Sequence, residues 1–122
     1  GYTPQFKNRF KVSGNTVKER KKLLKEAKNI ENAGAFSIVL ECITASLSKE
    51  ITNQLKITTI GIGSSAYCDG QILVTDDLLG LTDNKIKFVK KYADLKRNVR
   101  TAVKKFKLDV KKGSYPSIKY SY

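Results

Sequence analysis

Two short apolar runs, Phe36-Ser37-Ile38-Val39-Leu40 and the segment from Ile57 to Ile62, flank a stretch with helical periodicity. This arrangement limits the possible folds more than any other feature of the chain. Apolar runs of this length, closed by polar residues or glycine, suit strands buried in a parallel sheet. Between them, residues 44–55 place Leu47, Ile51 and Leu55 on one face of a helix. Strand, helix and strand form a βαβ unit, whose right-handed crossover leaves the strands parallel and the helix on a face of the sheet. The flanking segments continue the alternation. Ser13-Gly14-Asn15-Thr16 offers turn and N-cap chemistry ahead of a helix over 17–33, with Val17, Leu23, Leu24, Ala27 and Ile30 as its apolar stripe and Gly34 as its C′ residue. Gln71-Ile72-Leu73-Val74 reads as a further short strand, and Phe10-Lys11-Val12 as a possible one. Residues 85–111 read as one or two helices with Phe88, Val89, Tyr92, Leu95, Val99, Val103, Phe106 and Val110 toward a core, and 113–122 as an irregular tail. The expectation is an α/β protein, a single domain over 1–122.

Size narrows this further. A chain of 122 residues is one domain's worth, and a complete (β/α)8 barrel needs ~250. No apolar run approaches the ~18 residues of a membrane span. The formal net charge is +13, from 24 basic and 11 acidic residues. Such a charge raises the possibility of a basic nucleic-acid-binding or interaction module. Lys supplies 20 of the basic residues and Arg only 4, whereas phosphate and base readers favour the bidentate fork of Arg. The Lys-dense stretches at 18–28, 85–91 and 104–112 interleave Lys with apolar residues at helical spacing, the pattern of solvated helix faces. Cys42 and Cys68 stand apart, without a CxxC or any His, so they read as reduced thiols rather than metal ligands, with a disulfide as the alternative. The lack of His also excludes Ser-His-Asp and Cys-His catalysis within the chain.

In a parallel α/β protein the chemistry gathers beyond the C-terminal ends of the strands. Three features fall there. Glu41 ends the first apolar run, where partial desolvation suits a carboxylate to accept a proton; it could equally be a loop or first-turn residue favoured by a helix dipole. Gly61-Ile62-Gly63-Ser64-Ser65 could bring backbone N–H groups to an anion, or serve only a tight turn. Cys68-Asp69-Gly70-Gln71 and Asp76-Asp77 carry acids that could bind a hard cation, although Asp-Gly is a turn signal and paired Asp ahead of Leu78-Leu79 suits a helix start.

Taken together, several segments resemble the ketopantoate hydroxymethyltransferase family: NAGAFSIVLECITASLSKEIT (32–52), TIGIGSSAYCDGQILVTDDLLGL (59–81), KFVKKYADL (87–95), GSYPS (113–117) and GYTPQ (1–5). The resemblance runs in order through essentially the whole chain. It implies a (β/α)8 TIM barrel, of which this chain would be the C-terminal half with about the last three βα units. It also implies hydroxymethyl transfer from 5,10-methylenetetrahydrofolate to 3-methyl-2-oxobutanoate, giving ketopantoate for pantothenate and coenzyme A synthesis, with Mg²⁺ polarising the oxo acid. Glu41 matches the family's general base. The family's Mg²⁺ ligands, substrate-binding Ser and Lys, and active-site His match no residue here and would lie upstream of Gly1. The resemblance further implies a cytoplasmic homo-oligomer, and a 122-residue fragment that is inactive by itself. Four departures stand out: Thr44 replaces a usual Pro, Ser64-Ser65 replaces Ala-Gly, Asp76 replaces a His, and the segment between Gln5 and Phe10 is shortened.

Overall fold

Thr16 opens the first helix as expected. Its hydroxyl accepts the Glu19 N–H at 3.1 Å, while the Glu19 carboxylate accepts the N–H groups of Gly14 and Asn15 at 3.2 and 3.1 Å. Together these bonds satisfy amides at a helix start that have no intrahelical partner. The computed structural model describes residues 11–122, so the possible strand at Phe10 and the segment 1–5 lie outside the described residues. Helix α1 spans Val17–Asn32 and caps on Ala33. Gly34 then takes φ +89, with its N–H bonded to Glu31 C=O at 2.9 Å and Ala35 N–H to Ile30 C=O at 3.3 Å. This is the paired C-terminal motif that a C′ glycine permits.

Strand β1 (Ser37–Glu41), helix α2 (Ala45–Gln54) and strand β2 (Thr58–Ile62) follow, then a short strand β3 (Gly70–Gln71). The three strands form one parallel sheet in the order β1-β2-β3. Leu40 lies opposite Gly61 and Glu41 opposite Ile62. Ala27 of α1, Leu40, Ile43, Leu47 and Ile51 of α2, and Cys68 form the core, with Leu23, Leu24, Ile38 and Leu55 packed against it. Arg20 ties α1 to α2, reaching Glu50 at 2.5 Å and Ser46 at 3.0 Å. Leu47 and Ile51 are fully buried, which is where most of the stabilisation of such an amphipathic helix arises.

By internal contacts the chain divides into two units: one runs to Leu73 and includes 85–89, and the other comprises 74–84 and 90–122. The first holds the sheet with α1 and α2. The second holds helix α3 (Thr75–Leu78), helix α4 (Leu95–Lys111) and a 3-10 turn, Ile118–Tyr120. In the second unit Asp94 caps α4 by accepting Arg97 N–H at 3.2 Å, and the Tyr115 ring meets the edge of Phe106 at 5.4 Å.

Several expectations are corrected. Val17 and Ile30 are exposed, because the core-facing arc of α1 is only the part over Leu23, Leu24 and Ala27. Phe36 precedes β1 and is 89% exposed. The strand foreseen at 71–74 reduces to Gly70–Gln71, extended only by Ile72 N–H bonding to Gly61 C=O at 3.0 Å. Residues 85–94 are not helical, so the region holds the single helix α4. No residue of α4 is buried; Val99, Val103, Phe106 and Val110 are roughly half-exposed or more, as is Tyr92. Their apolar periodicity marks a helix face, but it does not show what that face packs against.

Candidate active site

Because β1 and β2 are parallel, their C-terminal ends share one edge, and Glu41 and Ile62 sit beside each other there. The Gly63-Ser64-Ser65 loop leaves from the same point. Thus two of the sequence candidates, Glu41 and the glycine-serine loop, come together at the edge where parallel sheets carry their chemistry.

Glu41 is the last residue of β1 and its side chain is exposed, so the desolvation expected from its place after an apolar run is not present in this chain. The backbone that carries it is closely fixed. Cys42 N–H donates to Ile62 C=O at 3.0 Å, prolonging the ladder by one bond. Cys42 then adopts φ +51, the only positive value at a non-glycine among the described residues. A residue with a Cβ in this region is strained and persists only where its surroundings hold it. Ser13 supplies part of that hold, donating its N–H to Cys42 C=O at 2.8 Å and accepting Thr44 N–H at 3.0 Å. Ser64 supplies more: its hydroxyl donates to Leu40 C=O at 2.5 Å and accepts Ile43 N–H at 3.3 Å. The Cys42 thiol is buried, and burial followed by the nearby Glu41 carboxylate pushes its pKa up. It is therefore a packing residue and not a ready nucleophile. Both cysteines are free.

The glycine-serine loop is held by its own bonds. Ser65 Oγ accepts Tyr67 N–H at 3.1 Å, and Ser65 C=O accepts Gln71 Nε2 at 2.6 Å. Gly63 has φ +63, and a Cβ there would meet the Phe88 ring. Its glycine thus serves a backbone turn and a close ring contact.

The other acids do not join Glu41. Asp69 accepts the N–H and O–H of Thr59 at 2.8 and 2.9 Å, and these bonds hold its carboxyl below the usual range. It is thereby tied near the start of β2, away from the edge bearing Glu41. Asp77 is buried in the second unit, where Thr82 and Asn84 donate to it, and Asp76 lies with it in the first turn of α3. Among the described residues no group of three or more His, Cys, Asp or Glu side chains is placed to hold a metal ion. Asp69 and Asp77 are thus engaged by neighbouring hydroxyl and amide donors and do not converge with Glu41. No described helix is long and apolar enough to cross a membrane.

Sequence reasoning missed the hydroxyl bridge from Ser64 and the backbone pairing from Ser13. Neither has a local signal, because each partner lies more than twenty residues away along the chain.

Residues 1–118 match the family described as ketopantoate hydroxymethyltransferase. The chain is 50% identical over all 122 of its residues to a 3-methyl-2-oxobutanoate hydroxymethyltransferase of Pelagibacter ubique, covering 48% of that protein. It is 48% identical to the protein of the same name from Thermotoga maritima, and 48% to that from Syntrophus aciditrophicus, covering 47% and 46% of them respectively and the whole of this chain in each case. The chain spans about half the length of these curated relatives. With the match running across the strand-end glutamate and the glycine-serine loop alike, the chain belongs to the ketopantoate hydroxymethyltransferase family.

Proposed function

We propose that this chain forms the C-terminal half of a (β/α)8 barrel and supplies the general base for hydroxymethyl transfer to 3-methyl-2-oxobutanoate. The observation that carries the reading is the placement of Glu41: an exposed residue at the C-terminal edge of a parallel sheet, on a backbone fixed by bonds from Ser13, Ile62 and Ser64. A base must be held within hydrogen-bond reach of the proton it takes, and a fixed backbone provides that.

In this reading Glu41 removes the C3 proton of 3-methyl-2-oxobutanoate. The resulting enolate carbon bonds to the one-carbon unit of 5,10-methylenetetrahydrofolate, water supplies the hydroxyl, and tetrahydrofolate leaves with ketopantoate as product. Mg²⁺ would polarise the oxo acid when bound; the described residues bring together no group of three or more His, Cys, Asp or Glu side chains for a metal, and its ligands belong in this reading to the upstream half. The same proposal includes a cytoplasmic homo-oligomer, and a 122-residue chain that is inactive until it is joined to that half.

The test is Glu41→Gln in the complete enzyme carrying this chain, assayed for ketopantoate formation and for exchange of the C3 proton into D₂O. Both rates are expected to fall by about 10²–10⁴. Exchange at the parent rate would remove Glu41 from the role of base.

A further inference from the structure

One hydroxyl brackets the segment that carries Glu41. Ser64 Oγ donates to the carbonyl of Leu40, the residue before Glu41, and accepts the N–H of Ile43, two residues after it. Within that bracket Cys42 takes its strained positive φ, and its N–H prolongs the strand ladder by one bond to Ile62 C=O. From there the backbone turns out of the sheet, and its next amide, Ile43 N–H, has Ser64 Oγ as its acceptor. Ser13 holds the opposite flank through Cys42 C=O and Thr44 N–H.

We propose that Ser64 is a positioning residue for Glu41, its hydroxyl fixing the direction in which the carboxylate leaves the sheet edge. The inference rests on the reading of Glu41 as base. Two departures noted in the sequence belong to this clamp. Ser64 brings a hydroxyl where the family resemblance implies Ala, and Thr44 brings an N–H, bonded to Ser13, that the Pro implied there would lack. The chain thus fixes its strand-end turn with hydrogen bonds rather than with a rigid ring.

The complete enzyme carrying this chain provides the test, with Ser64→Ala, Ser64→Thr and Glu41→Gln compared side by side. Ser64→Ala removes both bonds without touching the carboxylate. It is expected to lower kcat and C3-proton exchange by roughly tenfold, with KM for 3-methyl-2-oxobutanoate within about twofold of the parent, because a base displaced by a fraction of an ångström loses rate rather than binding. Ser64→Thr, which keeps a hydroxyl, is expected to recover most of the rate. Should the Ala variant fail to fold, Ser64→Cys, a near-isostere with a weaker donor and acceptor, is expected to give an intermediate kcat. Parent kcat in a folded Ser64→Ala enzyme alongside an impaired Glu41→Gln enzyme overturns the role of Ser64 alone, as does a rise in KM at constant kcat. A Glu41→Gln enzyme of normal activity overturns the base itself, and the positioning role falls with it.

Discussion

Gly63 offers the most direct check on the geometry of the site edge. It carries φ +63, and a Cβ placed there lies 2.3 Å from Phe88 Cδ1, 2.6 Å from Cγ and 2.7 Å from Cε1. Three ring atoms are in the way, so a small ring rotation cannot clear the methyl group. Gly63→Ala therefore carries two costs: about 1–2 kcal/mol for an L residue in the left-handed region and about 1–3 kcal/mol for overpacking. Gly34 separates them. Its φ is +89, but nothing lies within 4 Å of the position that a methyl group would take, so Gly34→Ala carries only the conformational cost. The gain from a stiffer unfolded chain, about 0.4–1 kcal/mol, applies to both and cancels in the difference. Gly63→Ala should thus be the more destabilising by about 1–3 kcal/mol. Urea unfolding of the protein carrying this chain, followed by far-UV circular dichroism, measures both variants under one set of conditions. A double-mutant cycle with Phe88→Ala isolates the steric part, since the methyl then enters the space left by the ring. Equal costs for the two glycine variants, or an unchanged Gly63→Ala penalty in the Phe88→Ala background, would refute the assignment of the penalty to the ring.

Other expectations follow from single contacts. Asp69 has a folded pKa below its ordinary value because of the Thr59 bonds, so its contribution to stability is fully present above the unfolded value of about 3.9 and is lost as pH falls through the lower folded value. Thr59→Val removes the hydroxyl bond and should make the loss of stability shallower as pH falls below the ordinary Asp value; equal slopes for parent and variant would contradict this. Asp94→Ala removes the N-cap of α4 and should cost about 1 kcal/mol locally, read as faster amide exchange over the first turn of that helix and reversed by Asp94→Ser.

Much of the first unit was legible in the sequence. Thr16 and Gly34 set the ends of α1 through contacts within a few residues, and the apolar runs set β1 and β2 to within about one residue at each end. The Glu41 and glycine-serine candidates met at one edge because β1 and β2 pair in parallel with Glu41 opposite Ile62. The second unit was harder to read. The periodicity of Val99, Val103, Phe106 and Val110 identified a helix correctly but not its burial, since the same stripe is written whether a face is covered by this chain or left open to another surface. The stretch 85–94 has helical composition yet stays irregular: Tyr92 N–H bonds to Leu78 C=O and Leu95 N–H to Leu79 C=O instead of joining a continuous helix.

The sequence by itself determined α1, β1, α2 and β2, their parallel order and the helical character of Leu95–Lys111. These elements depend on caps, spacing and apolar patterning, all of which act over a few residues. Only the tertiary structure decided that Asp69 serves Thr59 rather than the Glu41 edge, that Cys42 is held at a positive φ, and that Ser64 closes the bracket around Glu41. Each depends on a partner brought close by the pairing of strands, and a residue's own neighbours in the chain carry no record of what lies across the sheet.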